Sequence, residues 1–169
     1  ADEVEHARVA FALASQFAGH GVGPGPLPRT HELGAATLDE IVAAVIEEAC
    51  VGETLSALEV REAAARAVDP GLARVLRKIA EDEQRHAELG WRFVQWALAG
   101  ASAERLAGAQ AAFARAIAAA GASAERMSFG TGYEALREYG VIDAPLRAEL
   151  WRRGLQGLVM PAAAALQAA

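Results

Sequence analysis

Between Asp69 and Gly100 the apolar positions recur at the helical period. With Glu83 as zero and about 100° per residue, Leu72, Leu76, Ile79, His86, Gly90, Val94 and Ala97 fall within about 60° of it. Arg74, Arg77, Lys78, Glu81, Arg85, Glu88 and Arg92 fall on the far side. A second stripe runs through residues 37–67, where Val42, Ile46, Ala49, Ala57, Val60 and Ala64 cluster around Glu53. Glu40, Glu47, Glu48, Glu59 and Glu62 lie off its centre. A third covers residues 2–18, with Glu3, His6, Ala10, Ala14 and Phe17 on one face.

Local signals set the ends of these helices. Thr37 to Glu40 reads as a capping box. Val68 and Asp69 turn the chain, and Asp69 caps a helix with Pro70 at its first position. Helices 37–67 and 70–98 therefore form an antiparallel hairpin. The first helix ends at Gly19, and residues 19–36 are too rich in Gly and Pro for regular structure. This stretch lacks the Gly-Lys-Ser/Thr of a phosphate loop and reads as a crossover along a bundle, with His20 and His31 solvated. Ser102 caps a helix to about Ala120, residues 121–142 are irregular around Gly121, Gly130, Gly132 and Gly140, and Asp143 caps a last helix kinked at Pro161. The expected organisation is a bundle core over 1–100 and a C-terminal helical extension over 101–169, serving packing or an interface.

Composition narrows the class. The chain has 169 residues, 53% of them hydrophobic and carried mainly by Ala and Leu, which is enough for one all-α core. A net charge of −6 leaves no basic footprint for nucleic acid. A single cysteine excludes an intrachain disulfide and a Cys-based zinc site. No apolar run is long enough for a membrane span. The chain starts at Ala1, inside a motif and without Met, so it reads as a fragment or processed form, with a cytoplasmic setting favoured.

The polar residues inside the apolar stripes carry the chemistry. Asp-Glu-x-x-His-Ala occurs at 2–7 and again at 82–87, so Glu3 matches Glu83 and His6 matches His86. A carboxylate and an imidazole facing a core cost several kcal/mol unless paired, protonated or bound to metal. One such pair alone would read as a salt-bridged core pair. Glu53 lies as far before the turn at Val68 as Glu83 lies after it, so the two sit at one depth. Glu3, Glu53 and Glu83 are thus expected to converge near the middle of the bundle.

This set resembles the ferritin-like di-iron carboxylate proteins, in which two bundle helices each give a Glu and two each give Glu-x-x-His. Within them it is similar to bacterial ferritin-like domain proteins whose third helix reads like Cys50-Val-Gly-Glu-Thr54. The resemblance covers residues 1–99 and implies an antiparallel ferritin-like helix bundle with Glu3, His6, Glu53, Glu83 and His86 as metal ligands. It implies two iron ions, or manganese or a mixed pair, since hard carboxylate oxygens and imidazole suit these metals. Asp82 toward His6 and Asp2 toward His86 would orient the ligating rings; the alternative is that both are solvent-facing helix acids. The family's first helix, with its own Glu, is missing. Its absence predicts an apolar groove, unless the C-terminal helices fill it and supply a carboxylate, for which Glu149 is the candidate. The implied function is an oxidoreductase activating O₂ or peroxide, of oxidase, hydroxylase or ferroxidase type. The alternatives are a non-catalytic metal-binding or storage module and a structural bundle with a vestigial site. Exposed helix faces would serve a homo-oligomer. Cys50 reads as a small core residue and Thr54 as a flank residue or the wall of an O₂ pocket. Trp91 and Trp96 read as packing or interface, and Tyr133 and Tyr139 have no assigned role.

Overall fold

The first turn of every helix has backbone N–H groups with no partner inside the helix, and this chain fills them with side-chain oxygens. Thr37 Oγ1 accepts from the Glu40 N–H at 3.3 Å, and the Glu40 carboxylate accepts from the Thr37 N–H at 2.7 Å. Those donations, the backbone one first and then the Thr37 hydroxyl, hold the Glu40 carboxyl below its usual range. Asp69 accepts from the Leu72 N–H at 2.7 Å and Asp143 from the Leu146 N–H at 3.0 Å. Ser102 accepts from the Arg105 N–H at 3.3 Å. Gly19 and Gly100 stop the helices before them with φ of 71° and 68°, backbone that other residues rarely adopt.

A computed structural model describes residues 2–26, 36–127 and 134–167; the expectations for His31, Gly130, Gly132 and Tyr133 lie outside them. The protein is all-helical, with no strand among the described residues. In order come α1 (Asp2–Ala18), α2 (Leu38–Val45), a π-helical segment (Ile46–Glu53), α3 (Thr54–Arg66), α4 (Pro70–Leu98) and α5 (Ala103–Met127). A 3₁₀ turn (Glu134–Tyr139), α6 (Ala144–Gly154), a second π segment (Leu155–Val159) and α7 (Met160–Gln167) follow. No helix among the described residues is long and apolar enough to cross a membrane.

The chain divides into two compact units, residues 1–36 and 37–169. In the first, α1 carries no fully buried residue. The turn after it folds back on Ser15, whose hydroxyl accepts from the Val22 N–H at 2.8 Å and donates to the Phe11 carbonyl. His20 is exposed.

In the second unit, residues 38–66, 70–98, 103–127 and 144–167 form four helical rods around one core. Ile46, Cys50, Leu55, Val94, Phe113 and Val159 are its least exposed large side chains. Residues 103–127 and 144–167 therefore share a core with the hairpin. Two rods differ from the sequence expectation. The segment 37–67 is interrupted by the π segment, and α5 runs past Gly121 to Met127. One glycine costs only about 1 kcal/mol in a helix interior, and the alanines around Gly121 carry the helix through it. In the last rod the Met160 N–H reaches the Leu155 carbonyl, five residues back. This widened turn directly precedes Pro161, which has no N–H for the ladder and whose ring would crowd the carbonyl one turn back.

Small residues set the distances between rods. A Cβ built on Gly90 of α4 would stand 2.4 Å from the Ala49 Cβ in the first π segment, so the two backbones touch there. Gly154 packs likewise under Leu58 and Leu55. Glu59 then ties α3 to α6, accepting from Trp151 Nε1 at 3.1 Å and pairing with Arg147 at 2.7 Å. Gly90→Ala is expected to lower the unfolding free energy by about 1–3 kcal/mol through overpacking. Gly108→Ala on α5, where a Cβ would meet nothing within 4 Å, should raise it by about 0.5–1 kcal/mol. Urea denaturation of the two variants checks both signs.

Candidate metal centre

The first π segment ends at Glu53, and α4 carries Glu83 and His86 one turn apart at its middle. Bonding from i to i+5 puts an extra residue into each turn, and such segments are frequent at functional sites. Gly52 lies over the Glu47 carbonyl five residues back, where a Cβ would stand 3.3 Å from the oxygen. The rephasing sends Ile46, Cys50, Val51 and Leu55 into the core and leaves Ala49 against Gly90. Since 38–66 and 70–98 run antiparallel, Ala49 and Gly90 sit one turn from Glu53 and from His86.

The result is a compact donor set. Glu53, Glu83 and His86 each offer one ligand atom, and these atoms all lie within 4.8 Å of one another. Glu83 is 7% exposed, and Glu53 and His86 are half-buried. Ligand atoms around one ion at about 2.1 Å are at most about 4.2 Å apart, so adjustments of tenths of an ångström close the set on a metal. Two ionised carboxylates this near repel one another unless a cation or a shared proton lies between them. Asp82, the neighbour of Glu83, is buried as well, but Lys78 and Arg85 both donate to its carboxylate and compensate its charge.

Glu3 and His6 lie on α1 in the first unit, where His6 Nδ1 is 3.3 Å from Glu3 Oε1, and Asp2 opens that helix. Glu149 pairs with Arg152 on α6 and belongs to neither His/acid group found among the described residues. Cys50 is fully buried in the core, as expected of a small apolar residue. Thr54 Oγ1 accepts from Trp91 Nε1 at 3.2 Å, and the Trp91 ring stacks on Phe113 at 5.5 Å. Trp96 is 66% exposed beside Phe93, and Tyr139 ends the 3₁₀ turn. The Glu59–Arg147–Trp151 tie went unread in the sequence, because Glu59 sits off the apolar stripe and its partners lie some ninety positions on.

No family model matches the chain, and comparison with curated proteins and with solved structures gives no match.

Burial pushes the Cys50 thiol up to about 12, so it stays protonated in the folded protein while an unfolded chain ionises near pH 8.5. A pKa raised on folding gives stability that is complete below the unfolded value and is lost as pH rises. Stability should fall between about pH 8.5 and 10 with a slope approaching 1.4 kcal/mol per pH unit. Cys50→Ala should flatten that slope in urea melts.

Proposed function

We propose that this protein binds redox-active metal, iron first, through Glu53, Glu83 and His86, and acts as an oxidoreductase on O₂ or peroxide. The observation that carries this reading is the convergence of two carboxylates and an imidazole, one carboxylate buried, within 4.8 Å. Hard oxygens with one imidazole suit iron and manganese. Bound iron would supply one-electron chemistry with oxygen species, which no side chain here can supply. On the repeat of Asp2–Ala7 and Asp82–Ala87 alone, a second Glu-x-x-His pair supports a two-ion, ferritin-like centre.

The chain's own residues would then have defined tasks. Glu53 and Glu83 offset the charge of the ions, and His86 must be neutral to give its lone pair. Lys78 and Arg85 draw Asp82 to themselves, which keeps a third local carboxylate from competing for the cation. Catalysis is favoured over plain storage by the apolar groove at Thr54 and Ala87, the residues that follow Glu53 and His86.

Anaerobic thermal melting with Fe(II) is the test. At a free concentration of 100 times Kd, binding to the folded state alone adds about 2.7 kcal/mol. Wild-type protein should therefore gain several degrees at neutral pH and less in acid, where protons compete for the same donors. Glu83→Ala and Glu53→Ala should lose the gain, whereas Glu81→Ala, an exposed neighbour, should keep it. A wild-type melting temperature that Fe(II) does not move would end this reading.

A further inference from the structure

A groove of about 710 Å³ runs along α3 and α4 and is closed on its far side by the second π segment and α7. Its size is in the range of small-molecule sites, which are mostly apolar with a few placed polar groups. Ala57, Leu58, Ala87, Trp91, Leu158 and Leu166 give it apolar walls, and Leu158 is 50% exposed although it is a large apolar residue. Among the described residues, the charged side chains that line it are Arg61, Glu88 and Arg92. Arg92 is balanced by Glu88 at 2.6 Å. Arg61 meets the neutral side-chain oxygen of Gln84 at 2.5 Å, and among the described residues no carboxylate pairs with it. Thr54 is two helical turns from Arg61, roughly 10 Å along α3. The wall at that end belongs to the same turns as Glu53 and His86.

We infer that this groove binds an amphipathic monoanion, an apolar chain ended by one carboxylate, with the carboxylate on Arg61 and the chain running toward Thr54. A cation at the rim with no carboxylate partner among the described residues selects a single negative charge, and a guanidinium matches a carboxylate in two parallel hydrogen bonds. The apolar walls contribute affinity in proportion to the chain they cover. A span of about 10 Å suits a chain of medium length. The inference gives the oxidoreductase reading its substrate class and rests on that reading for the chemistry, but not for the binding.

The probe is octanoate, titrated calorimetrically into wild-type protein freed of metal by a chelator, with 1-octanol as its uncharged counterpart. Octanoate should bind more tightly than octanol. Arg61→Gln should weaken octanoate about tenfold and leave octanol unchanged, since a hydrogen bond to a charged group is worth about that factor. Ala162→Phe, which fills the groove from α7, should weaken both; if it fails to fold, Arg61→Gln decides alone. No octanoate binding by the folded wild type, octanol binding as tightly as octanoate, or full octanoate affinity in Arg61→Gln would each overturn the inference. Cobalt(II) titration of the same samples separates the two readings. Cobalt binding without octanoate binding removes the groove and leaves the metal centre, and octanoate binding without cobalt does the reverse.

Discussion

The contact between Gly90 and Ala49 sets how near the first π segment and α4 can come, and the candidate centre depends on that distance. Any side chain at position 90 would separate the two backbones, because a single Cβ would already stand 2.4 Å from the one on Ala49. Interiors are packed as densely as organic crystals and have little slack to absorb such a change. Side chains one turn from the contact inherit its spacing. That is why Glu53 can reach Glu83 and His86 from another helical rod.

The π segment is the second part of the same device. Ile46 and Leu55 are nine residues apart, which puts them about 180° apart on a plain α-helix. Yet both belong to one core with Val94, Phe113 and Val159. The widened turns between them absorb the difference, so a single rod can face the core formed with α5, α6 and α7 and also present Ala49 and Glu53 toward α4. A regular helix would satisfy only one of these demands. The core favours Leu55 inside, and the centre needs Glu53 turned to α4.

Much of this was legible in the chain. Thr37, Asp69, Ser102 and Asp143 announced their helices because capping is local chemistry, written within four residues. Glu83 and His86 stood out as polar groups inside an apolar stripe, and counting from the turn at Val68 gave Glu53 the same depth. The burial of Val51 and Leu55 was not legible, since a uniform wheel places them opposite Glu53, and the shift to i→i+5 bonding depends on packing partners far along the sequence. The length of α5 was missed because Gly121 was read as a stop. The groove beside Thr54 and Trp91 needs Leu158 and Leu166 for its far wall, and nothing near residue 54 signals them.

The proposed redox chemistry rests on the claim that Glu53, Glu83 and His86 hold a metal ion. The most direct measurement is anomalous diffraction at the iron edge from crystals grown anaerobically with Fe(II). The account predicts a peak within bonding distance of a carboxylate oxygen of Glu83, with Glu53 and His86 also in contact with it. A well-ordered site without that peak, with Glu83 hydrogen-bonded only to protein groups, would contradict it.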